Sequence, residues 1–283
     1  MNQKLEYFIS SLKKQLTGGY TICPYCKTDL AHGRVIDQKY LVTKLVECPR
    51  CQILVRLPTD DVEESRDFYQ KEYTQGYTTD CPSDEELAKL IESKFVGAER
   101  DYSRYIRFFE FLKMTKDKRI LDFGCSWGYG LFQMMKNGYL AEGFEVSGPR
   151  ARYGRDKLDV TIHSTDASLV GNYDVIFSSH VLEHLPDFSL INHLYNKQLN
   201  PGGYFIAVTP NGSMDFMKKD FGAYHQIWGK VHPVLLTDSF LMKNFKQDIF
   251  YLDSWDSMTP EFQMNAKTPL DKFELVYVLK KPE

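Results

Sequence analysis

Residues 120–130 read ILDFGCSWGYG, a short apolar strand followed directly by a turn with three glycines, a serine and a cysteine. Glycine costs conformational entropy, so a cluster of glycines needs a local reason, and the usual one is close approach of the backbone to a ligand. After the first strand of a parallel sheet, such a turn aims backbone amides at the crevice where these sheets bind ligands. By itself the turn suits NAD, FAD, another nucleotide or S-adenosylmethionine.

From residue 117 onward, short apolar strands alternate with helical segments, a pattern typical of a doubly wound α/β sheet. The predicted strands are RILDF, LAEGFEV, DVTIH, YDVIFSS and GGYFIAVTP, and the predicted helices are GYGLFQMMKN, GPRARYGRDK, FSLINHLYNKQL and TDSFLMKNF. The segments FKQDIFYLDS and FELVYVLKK are expected to close the chain as an antiparallel hairpin at one edge. Together these segments predict a seven-stranded sheet.

Acidic residues follow two of the predicted strands at the edge where ligands bind. Glu145 ends the second strand, where a carboxylate can accept hydrogen bonds from both ribose hydroxyls of a nucleoside. Asp166 follows the third strand, where a carboxylate can meet an adenine amino group. These positions favour an adenosine-containing cofactor.

In combination, residues 117–209 resemble the class I S-adenosylmethionine-dependent methyltransferases. LDFGCSWGYG is similar to their first motif, VLEHLPD to the segment after strand four in the ubiquinone-pathway O-methyltransferases, and PGGYFIAVTPN to the fifth-strand motif. The resemblance implies a Rossmann-like fold and S-adenosyl-L-methionine as cofactor. The expected cofactor-binding residues are Asp122, Gly124, Cys125, Gly128, Glu145, Asp166 and Ser179. Cys125 is expected to be a small buried packing residue, and Ser126 replaces the family's middle glycine, so a positive φ there would be strained.

Four cysteines near the start form two pairs, CPYC at 23–26 and CPRC at 48–51. Two such pairs joined by a short hairpin are typical of a structural zinc site with four thiolates. The predicted ligands are Cys23, Cys26, Cys48 and Cys51, and nearby His32 is expected to be solvated. A closed four-thiolate site has no open position, so this zinc is expected to hold the fold and perform no chemistry.

Methyl transfer to a hydroxyl needs a base that takes its proton, and histidines are the candidates. His180, His184 and His232 are the predicted catalytic residues, with His225 as the next candidate. His180, Glu183 and His184 also lie at the i, i+3 and i+4 spacing of one helical face. That set can hold a second metal, as related residues do in the ubiquinone-pathway enzymes; the competing interpretation is that His180 is a base that needs no metal.

The predicted division is residues 1–58 as an N-terminal helix and zinc-ribbon-like module, 59–116 as a helical connector, and 117–283 as the cofactor-binding domain. The connector carries a capping-box signature, Ser83 with Glu86, that opens a helix expected to continue toward Tyr105. Tyr69, Tyr73 and Tyr77 are expected to pack between the domains or line the cofactor pocket. Arg100 and Arg104 are expected to be solvated helix charges.

The net charge of −3 disfavours a general polyanion binder, and no apolar stretch approaches the roughly 20 residues of a membrane helix. Reduced cysteines and a start without a signal-peptide core indicate a cytoplasmic protein. The leading hypothesis is methylation of a small molecule, a hydroxyl of a sugar or nucleotide-sugar, because a double Cys-x-x-Cys module before such a domain resembles methyltransferases of sugar and polysaccharide biosynthesis. Alternatives are C-methylation of a nucleotide-sugar, RNA methylation that uses the zinc module, and a binding module without turnover; nucleic acid is disfavoured by the charge.

Overall fold

The computed structural model describes residues 3–16, 21–60, 63–64, 80–169, 171–257, 260–264 and 269–283. Tyr69, Tyr73 and Tyr77, predicted to pack between domains or line the cofactor pocket, lie outside these residues. In the part of the chain that is described, no helix is long and apolar enough to cross a membrane.

A seven-stranded sheet forms the centre of the molecule, as predicted. Its strands are β4 (Arg119–Phe123), β5 (Leu140–Phe144), β6 (Ile162–His163), β7 (Tyr173–Ser179), β8 (Leu199–Pro210), β10 (Ile249–Trp255) and β11 (Glu274–Lys280). Their order is β10–β11–β8–β7–β4–β5–β6. The strands from β8 to β6 are parallel, whereas β11 and β10 are antiparallel additions at one edge. The chain order reverses between β4 and β7, which is where doubly wound sheets bind ligands.

Helices alternate with the strands along the chain. They span Gln3–Leu16, Asp84–Glu92, Ser103–Phe111, Tyr129–Lys136, Gly148–Leu158, Ser189–His193, Met214–Lys219, Phe221–Ile227 and Asp238–Asn244. Residues Leu194–Gln198 continue Ser189–His193 as a wider helical turn. The capping box is present, with the hydroxyl of Ser83 accepting from the Glu86 amide.

The helix that the capping box opens is shorter than predicted. It ends at Glu92, and a second helix begins only at Ser103. Between them Lys94, Phe95 and Gly97 have positive φ angles, a conformation that ends an α-helix. The helix predicted to continue toward Tyr105 is therefore two helices, and the chain turns so that Phe95 enters the core.

A second sheet of four strands belongs to the N-terminal part of the chain. Its strands are β1 (Arg34–Lys39), β2 (Thr43–Glu47), β3 (Leu54–Leu57) and β9 (Val234–Leu235), in that order. The strands β1 and β2 form the hairpin predicted between the two cysteine pairs. The fourth strand comes from the segment after β8, so the cysteine module and the predicted cofactor domain share a sheet.

The cysteine module also shares a hydrophobic core with the central sheet. Cys23, Cys48 and Ile53 belong to the same buried cluster as Leu121 and Ile176. Tyr25 packs edge-on against Phe240, with ring centres 4.9 Å apart. The division of the chain after residues 58 and 116 stays a prediction. Residues on both sides of the first boundary pack in one continuous hydrophobic core.

Candidate active site and metal centre

The turn after β4 has the conformation that its glycines allow. Gly124 and Gly128 have φ angles of +83° and +80°, and Ser126 lies in the left-handed region at +53°. A Cβ at position 124 would lie 2.3 Å from the side chain of Val181, and one at 128 would lie 2.8 Å from that of Val160. The turn therefore needs glycine at these positions because it packs closely against the side chains of Val181 and Val160. This reason differs from the predicted one, a close approach of the backbone to a ligand. The strain expected at Ser126 is present.

Two carboxylates lie beside this turn, and both are buried. Asp122 is 1% exposed, and its Oδ2 has no hydrogen-bond partner among the described residues. Burial, with a smaller contribution from Glu145, raises the pKa of Asp122 to about 8. A cation bound beside Asp122 would lower that pKa again and satisfy the oxygen. The site therefore fits a ligand that carries an ammonium group, as the predicted cofactor does.

Glu145 is held by the backbone on both sides. Its Oε2 accepts from the amide of Ser126 at 3.0 Å, and its Oε1 accepts from the amide of Ser147 at 2.7 Å. Burial raises its pKa, and these two hydrogen bonds oppose that rise. Each carboxylate oxygen retains a second lone pair, so the group can still accept from a pair of ribose hydroxyls.

The remaining predicted cofactor residues occupy different surroundings. Cys125 is buried as expected, 3% exposed. Asp166 lies in a short 3₁₀ turn after β6 and is exposed. The Ser179 hydroxyl lies 2.6 Å from the phenol oxygen of Tyr105, so it is hydrogen-bonded within the protein. The cofactor roles of all three stay predictions.

His180 follows β7 with a left-handed backbone, φ +54°, and both of its ring nitrogens face carboxylates. Its Nε2 lies 2.9 Å from Oε1 of Glu274, and its Nδ1 lies 3.5 Å from Oε1 of Glu183. Burial acts to lower the pKa of His180, but the two carboxylates outweigh it and raise the pKa to about 9. The ring therefore carries a proton at neutral pH, which does not suit the predicted role of a base.

A second cluster consists of Glu183, His184 and His232, whose ligand-type atoms all lie within 4.8 Å of one another. The Nδ1 of His184 donates to Val231 O, and the Nδ1 of His232 donates to Ile227 O, each at 2.6 Å. These bonds place the proton on Nδ1 and the lone pair on Nε2 in both rings. The structure thus groups His232 with Glu183 and His184, while His180 contacts Glu183 from the other side of Val181 in the chain.

The predicted helical spacing fails for a local reason. The left-handed conformation of His180 separates the strand from a 3₁₀ turn at Leu182–His184, so residues 180, 183 and 184 do not share an α-helical face. His232 reaches the cluster from a distant loop. Oε1 of Glu183 still lies 3.5 Å from Nδ1 of His180 and 3.9 Å from Nε2 of His184, so the second metal stays a prediction, with Glu183, His184 and His232 as the set whose ligand atoms lie closest together.

The turn after β4 packs against the segment that leads into the histidine cluster. Val181, between His180 and the cluster, packs so closely on Gly124 that no Cβ fits there. Thr209, near the end of β8, donates to Oε2 of the fully buried Glu183 at 3.1 Å. Both features therefore lie at the carboxyl ends of β4, β7 and β8.

Glu274 and Arg104 form a buried ion pair; Glu274 was not among the predicted site residues, and the expectation that Arg104 is solvated is wrong. Arg104 donates from both terminal nitrogens to the Glu274 carboxylate, at 3.0 and 3.1 Å, and is 18% exposed rather than solvated. Glu274 is buried because the register of β11 on β8 places it opposite Pro210. No sequence motif indicates that Glu274 belongs to the site. The one hint in the sequence is that this acidic residue begins an otherwise apolar strand.

The four cysteines converge as predicted. The Sγ atoms of Cys23 and Cys51 are 3.6 Å apart, and those of Cys26 and Cys48 are 3.4 Å apart. Thiolates around a tetrahedral zinc with Zn–S bonds of about 2.3 Å lie about 3.8 Å from one another. The donor set and spacing therefore fit structural zinc. His32 is exposed, as expected.

Removing one thiolate should open this centre. We expect Cys23→Ser to lose close to one equivalent of zinc and to melt at a lower temperature, because an incomplete site binds zinc weakly and the metal's binding energy supports the fold. Elemental analysis and thermal unfolding measure the two effects. Cys81→Ser, at an exposed cysteine, is the matched control. Purified wild-type protein with neither zinc nor iron would contradict the assignment.

Comparison with known proteins decides the family. Residues 97–265, more than half of the chain, match the family model described as a methyltransferase domain. The chain belongs to this family. The prediction of a methyltransferase is confirmed at that level, and so is the Rossmann-like α/β fold.

Individual relatives of the methyltransferase domain are distant. The chain is 26% identical over 107 residues to a ubiquinone biosynthesis O-methyltransferase of Klebsiella pneumoniae, a match that covers 34% of this chain and 44% of that protein. A protein of the same name from Erwinia tasmaniensis is 27% identical over 104 residues, covering 33% and 43%. The chain thus spans less than half the length of these curated relatives.

A solved structure shows the same fold over most of the chain. Magnesium protoporphyrin IX methyltransferase from Synechocystis PCC 6803, crystallised with bound S-adenosylmethionine, superimposes with a TM-score of 0.50 at 14% identity. The match covers 80% of this chain and 99% of that chain. At this identity the likeness concerns the fold alone.

Proposed function

We propose that this methyltransferase domain transfers the methyl group of S-adenosylmethionine to a hydroxyl of a small molecule, a sugar or glycan precursor. The observation that carries the proposal is that the turn after β4 packs through Gly124 on Val181, two residues before Glu183 of the Glu183–His184–His232 cluster. It brings a fitting cofactor site and candidate proton acceptors to one edge of the sheet.

The cofactor would supply a methyl group already activated on a sulfonium sulfur. For this chain the tasks are therefore to align the acceptor and to keep water out. Asp122 would hold the amino group of the cofactor with its unpartnered Oδ2, and Glu145 would accept from the ribose hydroxyls. Both carboxylates are buried, so these hydrogen bonds would form away from bulk water.

His232 is the residue we assign as general base. His180 is excluded because both of its nitrogens face carboxylates. His184 is a weak acceptor, since burial lowers its pKa to about 4 even though Glu183 acts to raise it. In His232, the bond from Nδ1 to Ile227 O leaves Nε2 as the proton acceptor, and the Glu183 carboxylate would stabilise the imidazolium that forms.

Two observations support a small acceptor over RNA. The curated relatives are named as O-methyltransferases of ubiquinone biosynthesis, which favours a small molecule and an oxygen acceptor. In addition, four basic residues of the cysteine module, which RNA binding would need free, make contacts within the protein. The contacts are Lys27 with Asp187, Arg34 with Glu47, Arg56 with Asp60, and Lys39 with Trp228.

The acceptor can be found by incubating the protein with labelled S-adenosylmethionine and panels of nucleotide-sugars, free sugars, phenols and RNA. Label in a nucleotide-sugar or sugar is the expected result, and NMR of the product then distinguishes an O-methyl from a C-methyl group. Label in RNA alone would overturn the choice of acceptor, and label in a phenol alone would overturn the sugar assignment.

Cofactor affinity should depend on Glu145. Its carboxylate would make charge-assisted hydrogen bonds of roughly 1.5–3 kcal/mol, so Glu145→Ala is expected to weaken S-adenosylhomocysteine binding about tenfold to a hundredfold in calorimetry. Glu142→Ala is the control, because Glu142 lies on β5, the strand that Glu145 directly follows, but pairs with Arg119 and is partly exposed. Unchanged affinity in Glu145→Ala would reject the role given to this residue.

The donor set of the cluster also supports a metal-assisted variant of the same reaction. Two imidazoles and a carboxylate within 4.8 Å suit zinc, manganese or iron, which would lower the pKa of an acceptor hydroxyl. The metal-free and the metal-assisted reactions can be distinguished by measuring activity after chelation. Elemental analysis must first confirm that the zinc at the four cysteines is retained. Full activity without a second metal would support His232 as a base that needs no metal. A loss of activity that an added divalent ion restores would support the metal-assisted reaction.

A further inference from the structure

The loop that carries His232, residues 227–232, contacts the four-cysteine module before the histidine. Lys39, the last residue of β1, donates from Nζ to the carbonyl oxygen of Trp228. The same Nζ lies 4.3 Å from the centre of the Trp228 ring, a cation–π geometry. One lysine of the module thus holds both the backbone and the side chain of Trp228, one residue after Ile227.

A buried carboxylate on the same strand holds this segment from a second direction. Asp37 is 7% exposed, and its Oδ2 accepts from Nε1 of Trp228 at 2.8 Å. That oxygen also lies 2.7 Å from Nδ1 of His225, in the helix that precedes the loop. Hydrogen bonds to a desolvated carboxylate are strong and directional, so Asp37 fixes where the indole can lie.

The module holds the chain after the histidine as well. The amide of Arg56 donates to the carbonyl of Pro233 at 2.7 Å, and β3 then pairs with β9 through Val55 and Val234. The strand β3 begins at Leu54, shortly after Cys51. The chain that leaves the cysteine centre therefore becomes the strand on which the residues after His232 are built.

Within the loop, the ring of His232 takes its orientation from the held segment. Its Nδ1 donates to Ile227 O, and the amide of Gly229 donates to His232 O at 3.0 Å. The carbonyl of Ile227 forms the peptide bond to Trp228, so a shift of Trp228 would move the acceptor that aligns the imidazole. Lys39 and Asp37 of the module thus hold Trp228, and the carbonyl of the preceding Ile227 orients the ring of His232.

We propose that the four-cysteine module is a positioning element for His232, with Lys39 and Asp37 as its positioning residues. The catalytic meaning of this inference rests on the proposed function, because it assumes that His232 is the base. The contacts that hold His232 in place do not depend on the proposed function. Loss of the Lys39 or Asp37 contacts would misalign the imidazole, while the cofactor turn, whose backbone hydrogen bonds these two residues do not make, keeps its shape.

The test uses the full chain labelled with ¹⁵N-histidine and needs no acceptor. In the wild type, the ring ¹⁵N shifts of His232 should report the Nδ1–H tautomer, and the Gly229 amide should be protected from hydrogen exchange. Lys39→Met should populate both tautomers and speed Gly229 exchange about tenfold or more. Lys39→Arg, which keeps a donor and a cation, should restore both, and Lys44→Met in the adjacent strand should change neither.

An unchanged tautomer and unchanged Gly229 protection in Lys39→Met would overturn the proposal. Asp37→Asn is an independent second variant if Lys39→Met does not fold, with the same expected and contradicting results. The Gly124 amide, which donates to Phe144 O in the cofactor turn, is the internal control and should keep its protection in every variant. A failure of S-adenosylhomocysteine to bind would refute the proposed function and leave these readouts unaffected, so the two can fail separately.

Discussion

Replacing His232 by alanine is expected to slow methyl transfer about 10²- to 10⁴-fold, the usual contribution of a positioned acid or base. The affinity for S-adenosylhomocysteine should stay nearly unchanged, because His232, as the proposed base, would face the acceptor and make no hydrogen bond to the cofactor. Single-turnover rates with the acceptor found by the screen, together with calorimetry, measure the two quantities. This split distinguishes a base from a residue that only supports the fold.

The matched control is His193→Ala, at an exposed histidine that ends the helix Ser189–His193. It should keep the wild-type rate. Wild-type turnover in His232→Ala would reject the assigned base, and His184 would then be the next residue of the cluster to test. An equal loss of cofactor binding and rate would indicate a structural role instead.

Glu274→Ala is expected to reduce the free energy of unfolding by about 3–5 kcal/mol, because removing one partner of a buried ion pair leaves charge uncompensated. Glu274 is 1% exposed and accepts from both Arg104 and the protonated ring of His180. The surrounding cations act to lower its pKa against the effect of burial, so it is ionised at neutral pH. Urea unfolding at pH 7 measures the change.

Glu110→Ala provides the comparison for this prediction. Glu110 is 57% exposed and lies 3.8 Å from Lys116, an ion pair of the surface kind that contributes less than about 1 kcal/mol. A loss below about 1 kcal/mol in Glu274→Ala would show that the buried network of Arg104, Glu274 and His180 contributes little to stability.

Local motifs made much of the fold predictable. The strand and turn at 119–128, the capping box at Ser83 and the cysteine pairs are each set by residues close together in sequence, and each is found in the structure. The order of the parallel strands follows from their alternation with helices, since right-handed crossovers allow few other arrangements.

What could not be predicted depends on contacts between distant residues. Glu274 and His180 are 94 residues apart in the chain and meet because β11 and β7 both pair with β8. His232 joins Glu183 and His184 through a loop that is held in part by the cysteine module. The left-handed backbone at His180 overrode the helical spacing on which the metal triad was built. In each case tertiary packing, not local propensity, decided the outcome.

We propose that S-adenosylmethionine binds at the turn after β4 with its methyl group toward the histidine cluster. A crystal structure of the protein with S-adenosylhomocysteine tests this most directly. We predict ribose hydroxyls within hydrogen-bond distance of Glu145, the amino group beside Asp122, and the sulfur facing Glu183, His184 and His232. A ligand bound away from residues 122–128, or none at saturating concentration, would contradict the account.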